Sequence, residues 1–153
     1  MRPKLVKIGH AIINVEDLLY IEISNELGNV NFAMRQRTFN CNFDISDIET
    51  WRAFQSQTIA AINLQLQQLS LNKLVVIENM YINVANIRFA IIAARNIPDN
   101  PEDSDTVIIF NDDSIIRLPN IYDDGTKSVY RELCEQAFVN YTPPSVLNDP
   151  SSS

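Results

Sequence analysis

The chain has 153 residues, 46% of them apolar, with a net charge of −7, three Gly, seven Pro and two Cys. That is enough apolar material for a well-buried core, and too little Gly and Pro for disorder in the body of the chain. No stretch nears the roughly 20 uninterrupted apolar residues of a membrane span, and Met1-Arg2-Pro3-Lys4 lacks a signal-peptide apolar run; a soluble cytoplasmic protein is expected.

The charge is unevenly placed. Residues 1–72 carry −1 and residues 73–153 carry −6. An acidic second half repels phosphate backbones and anionic lipid, which speaks for a protein partner and against a membrane.

One sequence occurs twice. Lys4–Val15 (Lys-Leu-Val-Lys-Ile-Gly-His-Ala-Ile-Ile-Asn-Val) matches Lys73–Val84 (Lys-Leu-Val-Val-Ile-Glu-Asn-Met-Tyr-Ile-Asn-Val) at a lag of 69, with seven identities in twelve positions. Tyr20 and Ile23 continue the match with Phe89 and Ile92. The spacing predicts two copies of one supersecondary unit, residues 1–72 and 73–139, followed by a tail over 140–153.

Leu5–Ile8 and Ala11–Val15 are short, apolar and β-branched, the composition of strands. Leu18–Ser24 predicts a third strand, closed by a turn in which Gly28 or Asn29 takes positive φ. Val30–Met34 and Phe39–Phe43 alternate, with Phe39 and Cys41 inward and Asn40 and Asn42 outward. Ser46-Asp47-Ile48-Glu49 has the form of a capping box, opening a helix to Ser70. Its inward stripe is Ile48, Trp51, Phe54, Thr58/Ile59, Ile62, Leu66 and Leu69; Gln55, Gln57, Gln65, Gln67 and Gln68 line the other side.

The second copy repeats the plan. Ile87–Ala94 and Thr106–Phe110 read as strands joined by an acidic loop, Arg95–Asp105. Asn111–Ser114 reads as a tight turn into Ile115–Leu118. Thr126–Val139 follows as a helix, with Val129, Tyr130, Leu133, Ala137 and Phe138 inward. The strands around Phe89 and Ile108 are apolar on both faces, so one helix cannot cover them. Their second face is expected to meet the first copy, and failing that a second subunit.

Chemistry-bearing patterns are sparse. His10 is the single His and has no nucleophile motif beside it, no carboxylate pair sits in an apolar setting, and three isolated glycines make no phosphate loop. Cys41 and Cys134 lack metal-ligand spacing and are expected reduced and buried. The acidic loop 95–105 carries many oxygens but lacks the central Gly of a calcium loop. Asn14 and Asn83, identical in the two copies, predict Asx turns between strands. Neither a catalytic site, a cofactor nor a metal is expected.

Tandem sheet-then-helix units resemble, in topology and without a shared residue motif, the Whirly-type and Pur-repeat single-strand binders. That resemblance implies an alternative role in nucleic-acid binding. Its face would be Lys4, Lys7, Arg35 and Arg37, interleaved with Tyr20, Phe32 and Phe39. The leading expectation is an α+β protein of two antiparallel-sheet-plus-helix repeats sharing one core. It would act as a non-catalytic interaction or regulatory module, a homodimer meeting through Phe89 and Ile91 or through Gln55 and Gln65.

Overall fold

The computed structural model describes residues 4–8, 11–24, 28–42, 47–94, 104–119 and 129–137. His10, the capping-box Ser46, Phe43, Phe138, most of the acidic loop and the tail over 140–153 lie outside the described residues. The fold is α+β, with antiparallel sheets and, among the described residues, two α-helices.

Strands β1 (Leu5–Ile8) and β2 (Ala11–Asn14) form a two-stranded sheet, pairing Val6 with Ile13 and Lys7 with Ile12. A single 3-10 turn, Val15–Asp17, leads into β3 (Leu18–Ser24), β4 (Asn29–Met34) and β5 (Arg37–Asn42). Gly28 takes φ 62° before β4, the positive value its turn requires. Helix α1 (Ile48–Gln68) follows. Its cap is Asp47, whose carboxylate accepts from the Thr50 N–H at 3.1 Å and the Thr50 hydroxyl at 2.6 Å. The cap therefore falls one residue later than the capping-box pattern places it, because Asp47 satisfies the same orphan donors.

The second half has the same order of elements. Strands β6 (Val75–Ile77) and β7 (Met80–Ile82) form a hairpin, and a 3-10 turn over Val84–Asn86 precedes β8 (Ile87–Ala94). Strands β9 (Ser104–Phe110) and β10 (Ile115–Pro119) and helix α2 (Val129–Gln136) complete it. Even the irregularities correspond: the register slips between Leu18 and Tyr20 on β3, and between Ile87 and Phe89 on β8.

The sheets do not divide as the halves do. Strand β7 pairs with β3 (Tyr20 with Ile82, Ile21 with Tyr81, Glu22 with Met80), giving a five-stranded sheet in the order β5-β4-β3-β7-β6. Strands β10-β9-β8 remain a separate three-stranded sheet. The central sheet thus takes three strands from one half and two from the other.

Packing follows from alternation on the central strands. Ile21, Ile23, Val30 and Phe32 pack with Val6, Ile8, Ile13 and the α1 stripe Trp51, Ile62 and Leu66. Leu19, Ala33, Val75, Ile77, Met80 and Ile82 pack with Ile108, Phe110, Val129 and Leu133. Each fully buried side chain such as Phe32 or Phe110 contributes roughly 1.5–3 kcal/mol of transfer free energy. The expectation of one shared core is corrected: a sheet with apolar residues on both faces builds two clusters, one on each side.

Two further expectations change. Ile48, placed on the inward stripe by periodicity, is 54% exposed, because the helix begins there before it reaches the sheet. The second face of β8 is not covered by the first half: Phe89 is 47% and Ile91 46% exposed. The chain of the first half ends its pairing at β7, so nothing among the described residues reaches the outer side of β8.

Candidate functional site

The Asn residues shared by the two halves sit at the joints between hairpin and meander. Asn14 and Asn83 each cap a 3-10 turn, accepting from the N–H of Glu16 (3.0 Å) and Ala85 (3.2 Å). These are the expected Asx turns. Asn83 does more: its Nδ2 donates to the carbonyls of Val15 (3.2 Å) and Leu18 (2.9 Å). Asn86 adds Nδ2 donations to Glu16 (2.7 Å) and Leu18 (2.7 Å), and its Oδ1 accepts from Arg35 (2.9 Å). Sequence matching identified Asn83 and aligned Asn86 with Asp17 as a conservative match, but gave no sign of the bonds Asn86 makes across the two halves.

Strand β8 carries two of the exposed large apolar residues among the described residues of the second half. It is an edge strand, and Phe89 and Ile91, two residues apart, project to one side. Ile115 on β10 is a further exposed apolar residue of the same sheet, at 60%. Behind the edge, between β8 and α2, lies a cavity of about 380 Å³ lined by Val84, Ile87, Ala90, Leu133, Cys134 and Ala137, with Phe89 at its rim. Burial pushes the Cys134 thiol up, the Glu135 carboxylate adds to this, and a hydrogen bond with Tyr130 opposes it. Arg88 and Tyr130 complete a lining that is otherwise mainly apolar, and among the described residues it holds no convergent set of acids, bases and nucleophiles.

Arg88 is held beside this edge by the Asp113 carboxylate and by the Asn111 carbonyl at 2.9 Å. Gln55 and Gln65, the other interface candidates, are half-buried on α1. Gln55 lines a shallow groove with Ile59, Asn63 and Tyr81. They belong to the opposite side of the central sheet from β8, so the two candidate surfaces are not one site.

The four basic candidates do not form one free cluster. Lys4 pairs with Glu16 at 2.8 Å, and Arg35 lies 3.9 Å from Asp17 while bonded to Asn86. Lys7 is exposed on β1, and Arg37 begins β5. Of the aromatics placed among them, Phe32 is buried and stacked on half-buried Phe39 at 4.8 Å, and Tyr20 stacks on Phe110 at 5.7 Å.

A smaller cavity, about 270 Å³, separates the β4–β5 and β9–β10 turns and includes Arg37 and Asp112 in its lining. Asp112 accepts from the Gln36 N–H (3.0 Å), the Ser114 N–H (3.0 Å) and the Ser114 hydroxyl (2.6 Å). Burial works to raise its carboxyl, but these hydrogen bonds outweigh it and hold it below its ordinary value. Asp105, from the end of the acidic loop, is buried and bonded to Arg117 at 3.2 Å. Among the described residues no group of three or more His, Cys, Asp or Glu could hold a metal, and no helix is long and apolar enough to cross a membrane.

No protein-family model and no curated protein matches the chain. Among solved structures it is similar to the LytTr DNA-binding domain of a methyl-accepting/DNA response regulator from Bacillus cereus. The identity is 9%, over 75% of this chain and 84% of that chain, with a TM-score of 0.37.

Proposed function

We propose that this chain is a non-catalytic protein-interaction or regulatory module, built from a duplicated hairpin–meander–helix unit, that binds a polypeptide partner along β8. The observation that carries the reading is the pair Phe89 and Ile91, nearly half exposed on a strand that is an edge among the described residues, beside a mainly apolar cavity. An edge strand offers a row of backbone donors and acceptors, and apolar side chains flanking it add affinity to strand addition.

The duplication is supported by the lag of 69, by the common order of elements and by matching register slips on β3 and β8. A protein partner is favoured over nucleic acid by the −7 charge, the carboxylates already paired to Lys4 and Arg35, and the packing of Tyr20, Phe32 and Phe39 into the core. Two free thiols suit a reducing compartment.

Affinity purification of the tagged protein, run beside its Phe89→Glu/Ile91→Glu variant, tests the reading. Specific proteins, untagged copies of this chain included, should be recovered with the wild type and lost with the variant. Recovery of the same set by both would remove β8 as the binding surface.

A further inference from the structure

The chain contains one example of the joint that β8 lacks. Inside the molecule, β3 receives β7 on its free edge. Tyr20, Ile21 and Glu22 pair with Ile82, Tyr81 and Met80, and backbone bonds of 2.9 Å run from Asn83 N–H to the Leu19 carbonyl and from Ile23 N–H to the Asn79 carbonyl. At the lag of 69, β3 corresponds to β8 and β7 to β2. Among the described residues, β8 has an open edge, and β2 is the open edge of a sheet only two strands wide. Three strands at one end and two at the other are the parts of a second five-stranded sheet.

Resting on the reading of β8 as a docking edge, we infer that the partner is a second copy of this chain, which adds its β2 to β8 head-to-tail in the register of the internal joint. Phe89 then pairs with Ile13 of the second copy, Ala90 with its Ile12 and Ile91 with its Ala11.

Exposure bears out the correspondence. Leu74 is 6% exposed and Tyr81 half-buried, because the internal joint packs them against the first core cluster. Their counterparts Leu5 and Ile12 are 53% and 67% exposed. On the receiving strand, half-buried Tyr20 corresponds to Phe89, 47% exposed. What the joint covers in one half is bare in the other.

The side chains fit as well. Ile12, paired with Ala90, enters on the side of Ala90 and the cavity lined by Leu133, Cys134 and Ala137. Phe89 and Ile91 continue the row of Ile13 and Ala11, the side that the second copy's own core covers. Asn14, whose Nδ2 stands where Asn83 donates, reaches the carbonyls of Val84 and Ile87 in place of Val15 and Leu18. At the lag of 69, Asp17 stands at the position of the donor Asn86 and Arg88 at that of Leu19. Such an interface is heterologous: each copy uses β8 towards one neighbour and β2 towards the other, so the assembly grows into a chain or a ring.

Sedimentation of the wild type across concentrations, with Ile12→Glu and Phe89→Glu variants, decides the matter. The wild type should grow beyond a dimer as concentration rises. Each variant alone should remain a monomer with an unchanged circular dichroism spectrum, since both side chains are exposed. A carboxylate placed in the apolar joint should weaken it roughly tenfold or more. An equimolar mixture should form a 1:1 dimer, because one variant keeps its β8 and the other its β2. If Phe89→Glu loses its fold, Ile91→Glu on the same side replaces it. A wild type that stays monomeric at millimolar concentration overturns the inference, as does a dimer that survives Ile12→Glu or a mixture that fails to associate. Loss of a different protein from the Phe89→Glu/Ile91→Glu purification, with the wild type monomeric, would sink self-assembly while leaving β8 as a binding edge.

Discussion

The side chain of Asn83 spans the two halves of the molecule, donating from Nδ2 to the carbonyl of Leu18 at 2.9 Å while wholly buried. Asn14, the same residue in the matching sequence, caps its own turn and remains half-buried. Identical residues therefore carry different loads. Asn83→Ala removes one cap and two donations to buried carbonyls, a loss of about 3 kcal/mol, against about 1 kcal/mol for Asn14→Ala. Urea denaturation of the two variants checks this, and equal losses would contradict it.

Glu78 holds φ 54° in the two-residue turn between Ile77 and Met80. A side chain in the left-handed region costs about 1 kcal/mol, which glycine escapes. In the matching sequence this position is Gly9. Glu78→Gly should raise the melting temperature by roughly 2–4 °C, as expected for about 1 kcal/mol in a chain of this size. A fall in thermal scans would show that the Glu78 side chain does more than occupy the turn.

Asp112 ties the β9–β10 turn to the Gln36 N–H of the β4–β5 turn. Its carboxyl is held below the ordinary value of 3.8 when folded. The stability it adds is therefore present above pH 3.8 and disappears as pH falls through the lower folded value. Asp112→Asn should flatten the stability profile in that acid window. Urea midpoints from about pH 5 to about pH 2 test this; an unchanged acid slope would refute it.

Cys134 lines the cavity beside β8 and is 7% exposed, with its thiol pushed up by burial. Cys41, also raised by burial, is only half-buried. Because the thiolate is the reactive form, alkylation of the native protein should mark Cys41 before Cys134. Covering of the cavity by a second copy should slow Cys134 further as protein concentration rises, which peptide mapping after timed alkylation would show.

Much of the local structure was legible in the residues. Alternation of Phe39, Asn40, Cys41 and Asn42 marked β5, Gly28 marked the turn before β4, and the spacing of Trp51, Ile62 and Leu66 marked the buried side of α1. Asn14 and Asn83 were readable as turn residues because an Asx cap involves only its own neighbours. Periodicity misplaced Ile48, since a stripe says which side of a helix is apolar but not where along its length the sheet begins. It also assigned the second side of β8 to the first half, an assignment about pieces distant in sequence.

The residues by themselves determined two matching series of strands, turns and a helix, because those depend on interactions within a few positions. The tertiary structure alone decided that β7 pairs with β3 while β8 has no second strand partner among the described residues. Strand pairing joins backbone groups of segments far apart, and every strand edge offers the same donors and acceptors, so local pattern cannot choose between them. That choice leaves Phe89 and Ile91 nearly half exposed on the candidate binding edge.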